Sequence, residues 1–363
     1  MRFTRVAGQN FRLFERFELE PRAGLNLFLG ANAAGKTTLL EALYALGRGR
    51  SFRGTPAELA GPGAPGWVVH GALTTEDRPG AGVGLGWDPS GGLAIRIDQA
   101  DATLQELARV AAIEVLEPDT HRLLDDGPAY RRRYLDWGVF HVEHRFYPAW
   151  RRYQRAQLQR NEALRAGLER AAVEAWNEEL AAAGEEVQAY RLEHVRALRA
   201  PLAAEIPALL GDLDWSLELR RGWSAERGLA EVLRDHYDND ARQGTTVSGP
   251  HRAELKLQLA GRSAKHHASR GQQKMLIAAL LLAQARLIRE RTGREPILLL
   301  DDFPAELGPP FQRALIDALA RYGGQCFVSS IELTGALEKA LENSPEISLF
   351  HVEHGSVSRP SRV

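Results

Sequence analysis

Cysteine is almost absent from this chain, since Cys326 is the single one in 363 residues. An internal disulfide framework is therefore excluded, and a reducing compartment is favoured. A charge excess is also lacking, because 46 lysines and arginines face 47 acidic residues. This balance excludes binding of nucleic acid through bulk charge alone and leaves only local basic patches for it.

Long apolar runs are missing as well. The longest, Met275 to Ala283, is about half of the roughly 20 residues that a membrane-spanning helix needs. The N-terminal segment MRFTRVAGQNF has no apolar signal-peptide core. The sequence therefore predicts a cytoplasmic protein without a membrane partner.

What is present is a globular composition, with 44% hydrophobic and 26% charged residues, and a length that predicts two domains. Residues 1–128 combine strand patterns with a helix after a glycine-rich turn, and residues 240–363 again alternate strands and helices. Residues 129–239 are poor in glycine and mostly helical in period, without a sustained heptad repeat. We therefore expect an α/β lobe formed by both chain ends, interrupted by a mostly helical second lobe with no long coiled coil.

A phosphate-binding loop is the most specific motif. The segment GANAAGKT at residues 30–37 matches G-x-x-x-x-G-K-[ST] and lies between an apolar strand and a helix. In such loops backbone N–H groups surround the phosphates, the lysine reaches the β- and γ-phosphates and the hydroxyl ligates Mg²⁺. The motif predicts ATP bound with Mg²⁺. The predicted ATP-binding residues of this segment are Gly30, Ala31, Asn32, Ala33, Ala34, Gly35, Lys36, Thr37 and Thr38.

Two carboxylates follow a second apolar run, in ILLLDD at residues 297–302. Burying a carboxylate costs several kcal/mol unless it is paired, so two of them at a strand end favour a bound cation. We expect Asp301 to hold Mg²⁺ together with Thr37. We expect Asp302 to orient or deprotonate the attacking water.

A second candidate anion site precedes a long apolar helix, in the sequence SRGQQK at residues 269–274. Ser269 suits a helix N-cap, which is its ordinary structural role. Its hydroxyl, the following glycine and the exposed N–H groups of a helix start also suit a phosphate. If this turn meets a γ-phosphate held by another phosphate loop, that loop belongs to a second copy of the chain.

These segments carry a resemblance to a known family. GANAAGKT, SRGQQK and ILLLDD resemble the Walker A, signature and Walker B motifs of ABC-type ATPases. NFRLFERFELEPRAGLNLFLGANAAGKTTLLEALY, EPDTHRLLDDGPAYRRRYLDWGVF and VSGPHRAEL resemble the RecF family of recombination and repair proteins along essentially the whole chain. SGPHR followed by SRGQQK is more specific than the phosphate loop, which many ATPases share.

The resemblance implies a P-loop ABC-type ATPase lobe that sandwiches ATP between two subunits. Gly30 to Thr37 and Asp301 would come from one subunit, and Ser269, Arg270, Gly271 and Gln272 from the other, with Ser269 acting catalytically in trans. The ATP-dependent homodimer would clamp DNA and act with RecO and RecR to load recombinase at gaps and junctions. DNA replication, the DNA damage response and the SOS response are the processes implied.

Several positions depart from the family pattern. Ala33 stands where GxNGxGKT has glycine, and Asp302 stands where most ABC ATPases have glutamate. The shorter acid predicts slow hydrolysis. Ser329 and Ser330 occupy the strand end where many of these ATPases have histidine. A serine there, Ser330 in our prediction, could hydrogen-bond the γ-phosphate but cannot carry positive charge. Residues 305–308, AELG, stand where the D-loop normally ends in aspartate.

Arginines concentrate at the start of the helical region. Between Ala129 and Arg170 there are ten arginines against four acidic residues, a surplus of the kind that binds a phosphate backbone in a salt-dependent way. No recognition helix, zinc knuckle or aromatic stacking signature accompanies them, so we expect DNA binding without sequence readout. The candidate DNA contacts are Arg131, Arg132, Arg133, Arg151, Arg152 and Arg155.

Two other ATPase classes share part of these motifs. A P-loop small-molecule kinase would have the phosphate loop, but it would not need the SRGQ segment before a long helix. An ABC-transporter ATPase subunit would have all three motifs and a coupling surface for a membrane partner. The RecF-like segments favour the DNA-repair interpretation over both.

Overall fold

The computed structural model describes residues 1–75, 79–116, 122–302, 307–343 and 347–359. Contacts divide the chain into two units. The first unit comprises Met1–Thr120, Glu205–Gly211 and Lys274–Val363. The second unit comprises His121–Ala204 and Asp212–Gln273.

The first unit begins with an antiparallel sheet of six strands in the order β2-β1-β4-β5-β6-β7. Alternating apolar residues bury one face of each longer strand, as the period-two pattern of the sequence predicts. The glycine-rich segment Gly80–Gly86 lies largely within one of these strands. The strands are β1 (Arg2–Phe11), β2 (Phe14–Leu19), β4 (Trp67–Thr74), β5 (Ala81–Asp88), β6 (Gly92–Ile97) and β7 (Ala100–Asp101).

A second sheet of the first unit has the order β15-β14-β3-β13-β12-β8, and all its pairings are parallel except that of β15. Its strands are β3 (Leu25–Leu29), β8 (Ile113–Leu116), β12 (Ile297–Leu300), β13 (Cys326–Ser330), β14 (Ser348–Glu353) and β15 (Ser356–Ser358). The helices of this unit are α1 (Lys36–Arg48), α2 (Leu104–Val110), most of α11 (Arg270–Thr292), α12 (Pro309–Tyr322) and α13 (Gly335–Asn343), with a short 3-10 helix at Pro56–Leu59.

One apolar core joins α1 to both sheets. Leu39 and Leu43 of α1 are fully buried in the same cluster as Val69 of the antiparallel sheet and Phe28 and Phe327 of the parallel sheet. Because α1 follows directly on the phosphate loop, this packing fixes the position at which the loop ends.

Glu114 of β8 is a buried carboxylate in the parallel sheet. Gln284 Nε2 donates to its Oε1 at 3.0 Å, and its Oε2 has no hydrogen-bond partner among the described residues. Burial raises the pKa of Glu114 from an ordinary value of 4.5 to about 8, although Arg48 and Gln284 act in the opposite direction.

This raised pKa predicts a pH dependence. Between about pH 4.5 and 8 the folded protein holds a proton on Glu114 that the unfolded chain has released, so the stabilisation is complete below this range and is lost as the pH rises through it. Glu114→Gln should flatten the decline of unfolding free energy across this range, as measured by denaturant titration. The exposed Glu290→Gln should leave the decline unchanged, and parallel curves for Glu114→Gln and the unmodified protein would contradict the assignment.

The second unit is mostly helical. Its helices are α3 (Arg122–Asp125), α4 (Pro128–Val142), α5 (Phe146–Arg165), α6 (Arg170–Glu174), most of α7 (Asn177–Leu210), α8 (Leu229–Asp235), α9 (Tyr237–Gln243), α10 (Ala264–His267) and the first turn of α11. A small sheet in the order β11-β10-β9 comprises β9 (Trp215–Arg220), β10 (Glu254–Leu259) and β11 (Arg262–Ser263). Within the described ranges the longest helix has 34 residues, and there is no long coiled coil.

The unit boundaries differ from the expected domain limits. We expected the ATPase lobe to resume at residue 240, whereas the contacts assign residues 212–273 to the second unit. The reason is strand pairing: β10 is antiparallel to β9 from Glu254↔Arg220 to Leu259↔Trp215. This pairing attaches the residues after 240 to the helical unit before the chain returns to the first one.

A buried ionic network ties the second unit together. Arg160 of α5 and Asp240 of α9 are both 0% exposed, and Arg160 Nη1 lies 2.7 Å from Asp240 Oδ2. Arg160 also donates to Asn177 Oδ1 and Thr246 Oγ1, each at 2.8 Å. Arg160 is one of the ten arginines between Ala129 and Arg170. It is buried and joins α5 to α9 through its ion pair with Asp240.

No helix in the described parts of the chain is long and apolar enough to cross a membrane.

Candidate nucleotide site

The phosphate-loop residues, the two aspartates and a serine pair come from three neighbouring strands. β3 pairs with β13, and β13 pairs with β12, all in parallel. Their carboxyl ends therefore meet at one edge of the sheet. The loop at residues 30–35 follows β3, Asp301 follows β12, and Ser329 and Ser330 end β13.

The loop backbone requires glycine at two positions. A Cβ on Gly30 would lie 2.1 Å from the carbonyl oxygen of Val352. Gly35 has a φ of 117°, and a Cβ there would lie 2.7 Å from a ring carbon of Phe14. A larger residue at either position would displace the loop from the strand end and from the start of α1.

Ala33 adopts the left-handed conformation, with a φ of 61°. This is the position at which glycine is usual in the family motif, and the structure shows why, since a side chain costs about 1 kcal/mol or more in this conformation. The loop therefore keeps the glycine-type backbone even though an alanine occupies the position.

Replacing Ala33 by glycine should relieve this strain. We expect Ala33→Gly to stabilise the protein by about 1 kcal/mol and to raise its melting temperature. Ala31 has no positive φ, so the matched variant Ala31→Gly should be destabilised by about 0.5–1 kcal/mol. Equal shifts of the two melting temperatures, measured by calorimetry, would contradict the strain assignment.

Lys36 lies inside the loop that precedes it. Its Nζ donates to the carbonyl oxygens of Gly30 at 2.7 Å and Ala31 at 2.9 Å. Burial lowers the pKa of Lys36, and the charges of Asp302 and Asp301 counteract this shift. The lysine thus presents a cation, close to two carboxylates, at the place where the loop would surround a phosphate.

Asp301 is held by two hydroxyl groups. Its Oδ1 accepts hydrogen bonds from Thr37 Oγ1 at 3.0 Å and from Ser329 Oγ at 2.6 Å. Burial raises the pKa of Asp301, whereas these two hydrogen bonds lower it. Thr37 and Asp301 are hard oxygen ligands within hydrogen-bonding distance of each other, so the donor set fits Mg²⁺.

Asp302 differs from its neighbour. Its φ is 47°, its backbone N–H donates to Ser329 Oγ at 2.7 Å, and its Oδ1 is buried without a hydrogen-bond partner among the described residues. A buried carboxylate oxygen without a donor is uncommon in folded proteins, so this oxygen is free to accept a hydrogen bond from a group outside the described residues. This acceptor suits the predicted role of binding a water molecule beside the phosphate.

The serine pair has divided roles. Ser329 contacts Asp301 and the backbone of Asp302, whereas the Ser330 hydroxyl donates to the carbonyl oxygen of Glu332 at 2.7 Å. In this arrangement the Ser330 proton is already engaged, so Ser330 is placed less well than expected to donate to a γ-phosphate. Ser329 is the residue that positions the carboxylates.

A charged network beside the loop was missed in the sequence. Glu41 of α1 is 0% exposed, and Arg12 donates to both of its oxygens, at 2.8 and 2.9 Å. Arg53 donates to Glu41 at 2.9 Å, and Ser51 donates to it as well. Burial alone would raise the pKa of Glu41, but the bonds from Arg12, Arg53 and Ser51 bring it below the ordinary value. The sequence feature that could have indicated this network is the glutamate in the largely apolar α1.

Arg12 interacts with Glu58 as well as with Glu41, whereas the positive charge of Arg53 acts on Asp301 beside the loop. Arg53 Nη2 also lies 3.5 Å from the hydroxyl of Thr38, a residue of the predicted ATP site. The network therefore brings positive charge close to the phosphate loop, in addition to Lys36. This charge favours an anionic ligand.

The signature-like segment lies at the start of α11, in the second unit. Ser269 Oγ accepts a hydrogen bond from the backbone N–H of Gln272 at 3.3 Å, and Gln272 Oε1 accepts one from the Ser269 N–H at 2.9 Å. Ser269 is therefore an N-cap, as its ordinary role predicts. Arg270 is 72% exposed and pairs with Asp125 at 2.7 Å. Ser269 and Arg270 are exposed, and Gly271 and Gln272 are half-buried.

Two of the motif segments fall partly outside the described residues. Ala305 and Glu306 of the D-loop position, and residues 117–121 of EPDTHRLLDDGPAYRRRYLDWGVF, are not described. Leu307 is buried, and Gly308 is the N-cap of α12.

The candidate DNA arginines separate into two groups. Arg131 donates to both oxygens of Glu254 and to three carbonyl groups, Arg132 donates to the carbonyl of Ala253, and Arg152 pairs with Glu179 and Glu186. Their guanidinium groups are engaged within the second unit. Arg133, Arg151 and Arg155 are exposed, and Arg133 lies 5.3 Å from the ring centre of Tyr130. The second group fits a phosphate backbone better than the first.

Comparison with known proteins identifies the family. An AAA domain model matches residues 5–55, which contain the phosphate loop. The chain is 39% identical over 363 residues to the DNA replication and repair protein RecF of Stutzerimonas stutzeri strain A1501, covering 99% of this chain and 98% of that protein. The chain belongs to the RecF family. The family prediction made from the motifs is confirmed.

Solved structures agree with this fold. The recombination mediator protein RecF with ATP, from the RecFOR pathway, has a TM-score of 0.86 at 23% identity, with 99% of this chain and 97% of that chain covered. An Smc head bound to the C-winged helix domain of ScpA has a TM-score of 0.61 at 14% identity, with 100% and 98% covered. RecF-family and Smc-head ATPases thus share the fold of this chain, and the predicted fold class is confirmed.

Proposed function

We propose that this chain is an ATP-driven DNA clamp of recombinational repair and replication. The RecF-family membership and the converging phosphate loop and carboxylates support an ATPase of DNA repair. The contact that supports the nucleotide assignment joins Thr37, in the first turn of α1, to Asp301 and Ser329 at the edge where the parallel strands end. A glycine-rich turn stabilised only by its own hydrogen bonds would not need this buried carboxylate.

The residues of the first unit have separate roles in this proposal. The backbone of residues 30–38 binds the phosphates of ATP, and Lys36 turns from the carbonyls of Gly30 and Ala31 to the β- and γ-phosphates. Thr37 and Asp301 would hold Mg²⁺, which neutralises charge on the β- and γ-phosphate oxygens. Asp302 orients the attacking water through its Oδ1, which accepts no hydrogen bond from the described residues. Its short side chain predicts slow hydrolysis.

The exposed start of α11 completes the site from a second copy. Ser269, Gly271 and the first N–H groups of the helix would bind the γ-phosphate of the partner, since the N-terminus of a helix favours anions. ATP would then hold two copies together, and hydrolysis would release them. Reversible dimerisation of this kind closes and opens a clamp around DNA.

The exposed arginines of the second unit supply the phosphate contacts for DNA, without sequence readout. Action together with RecO and RecR in loading recombinase is the family-level part of the proposal, as is the SOS response. The cytoplasmic location stays a prediction.

An ABC-transporter subunit and a small-molecule kinase remain the alternatives, and neither explains the RecF-family membership along the whole chain.

The test is oligomeric state and DNA binding in three nucleotide states. Gel filtration with light scattering, run with ATP, with ADP and without nucleotide, should give a dimer only with ATP. Binding of a labelled duplex should rise in the same state and fall steeply with salt. A monomer in all three states, or DNA binding indifferent to nucleotide, would contradict the clamp, and phosphorylation of a metabolite would favour the kinase.

A further inference from the structure

The Ser269 turn, residues 269–273 at the start of α11, is held on both sides by one residue of α3. Arg270 Nη1, which follows Ser269 directly, donates to Asp125 Oδ2 at 2.7 Å. Lys265 Nζ, from the helix that precedes the turn, donates to the backbone carbonyl of Asp125 at 2.7 Å. Asp125 therefore accepts one cationic group from each side of Ser269.

Hydrogen bonds within the segment link its two ends to each other. Gln273 Nε2 donates to the carbonyl of Lys265 at 3.0 Å, and Gln273 Oε1 accepts from Arg270 Nη1 at 3.3 Å. The capping bonds between Ser269 and Gln272 close the same turn. A shift of either end would therefore move the serine that lies between them.

The helix that carries Asp125 depends on outside contacts. α3 is a single turn, Arg122–Asp125, and one turn is not stable through its own hydrogen bonds. Leu123 and Leu124 are buried and anchor it. The carbonyl groups at the end of such a turn have no partner within the helix, so they need a donor from elsewhere.

Arg131 of α4 is this donor. Its Nη1 donates to three carbonyl groups at 2.9–3.1 Å, those of Leu123, Leu124 and Asp126. Its Nε and Nη2 donate to the two carboxylate oxygens of Glu254 in β10, at 2.6 and 3.0 Å. Only arginine offers enough donors in a fixed planar geometry for both sets. Glu254 therefore fixes the guanidinium group, and the guanidinium group fixes the end of α3 that carries Asp125.

The last contact of this series lies at the surface. The Arg270 side chain is 72% exposed in its pair with Asp125, and exposed ion pairs contribute little to the free energy of unfolding. Loss of the pair can therefore change the orientation of the Ser269 turn without unfolding the unit. For this reason an effect on activity can be separated from an effect on stability.

We propose that Arg131 and Asp125 are positioning residues that hold the Ser269 turn in the orientation in which it meets the γ-phosphate of a second copy. Both act through the turn and not on the nucleotide itself. The inference rests on the proposed function, in which this turn completes the ATP site of the partner. It gives Arg131 a role in ATP hydrolysis in place of the DNA contact that we expected from the sequence.

Hydrolysis of ATP by the full chain, assayed without DNA, is the first measurement. Arg131→Ala and Asp125→Ala should each lower the rate at saturating ATP at least about tenfold, since a misplacement of about 1 Å is enough for a loss of this size. Each should bind a fluorescent ATP analogue like the unmodified chain, because the phosphate loop belongs to the first unit. The matched control is Arg227→Ala, which removes an arginine of the second unit paired with Glu231 and Asp235. It should hydrolyse ATP like the unmodified chain.

Mixing two variants shows which side of the shared site is affected. Arg131→Ala keeps an intact loop, so it should regain hydrolysis when mixed with Lys36→Met, which keeps an intact turn. It should not regain hydrolysis with Ser269→Arg, because both copies would then have a defective turn. Asp125→Ala should give the same two results. A chain that had lost its fold would regain hydrolysis in neither mixture.

Three results would overturn the inference. The first is full hydrolysis by Arg131→Ala or Asp125→Ala alone. The second is recovery with Ser269→Arg, which would place these residues on the loop side. The third is no recovery in either mixture although the melting temperature is unchanged. If Arg131→Ala does not fold, Asp125→Ala decides, because its contact with Arg270 lies at the surface.

A reference mixture of Lys36→Met with Ser269→Arg separates this inference from the proposed function. If the reference mixture regains hydrolysis and the Arg131 and Asp125 variants give any of the three contrary results, the positioning role alone fails. If the reference mixture stays inactive, the shared site fails, and the proposed function fails with it.

Discussion

ATP binding should weaken at least about 100-fold when Lys36 is replaced by methionine. Lys36 is the cation of the loop, and in the bound state its Nζ would exchange the carbonyls of Gly30 and Ala31 for phosphate oxygens. Two charge-assisted hydrogen bonds at about 1.5 kcal/mol each account for an effect of this size. Titration with a fluorescent ATP analogue measures it.

Lys256→Met is the matched control, because Lys256 is a lysine of β10 in the second unit. It should bind ATP like the unmodified chain, and circular dichroism should show that both variants remain folded. A loss of less than about fivefold for Lys36→Met would place the phosphates elsewhere.

Arg160→Met should lower the free energy of unfolding of the second unit by about 3–5 kcal/mol. The methionine removes the partner of Asp240, whose carboxylate is 0% exposed. Asp240 would keep the hydrogen bond from the backbone N–H of Val247 at 2.9 Å, but its charge would be buried without a counter-charge. Denaturant unfolding followed by circular dichroism measures the loss.

The double variant Arg160→Met/Asp240→Leu separates the ion pair from packing. Replacing both partners with apolar residues is often nearly neutral, so the double variant should recover most of the lost stability. Arg152→Met, which removes an exposed pair with Glu179, should cost about 1 kcal/mol or less. A loss below about 1 kcal/mol for Arg160→Met would show that the network does not hold the unit together.

The strands and the loop of the candidate nucleotide site could be predicted from the sequence, because the patterns that specify them lie within short segments. GLNLFLG followed by GANAAGKT specifies a strand, a tight loop and a helix within twenty residues, and ILLLDD specifies a buried strand ending in acids. The parallel order that brings β3 beside β13 and β12 depends on contacts far apart in sequence, namely the pairing of Leu25 with Cys326 and the hydrogen bond from Thr37 to Asp301. Only the family resemblance could anticipate them.

Short sequence patterns do not predict contacts between residues that are far apart in the sequence. Glu41, Arg12 and Arg53 form one network, but their spacing matches no motif, so nothing in the sequence connects them. Arg131 and Arg152 counted toward a DNA surface because partners such as Glu254 are far away in sequence. The end of the second lobe was placed too early because β10 pairs with β9 rather than with a strand of the first unit.

A mixing experiment tests most directly whether two copies share each ATP. Lys36→Met and Ser269→Arg should each abolish ATP hydrolysis when assayed alone. In the mixed dimer, one composite site combines the intact loop of the Ser269 variant with the intact turn of the Lys36 variant. Hydrolysis should therefore return on mixing. If the mixture is as inactive as its components while both variants remain folded and dimers form, the pocket is not shared, and the account of the clamp is contradicted.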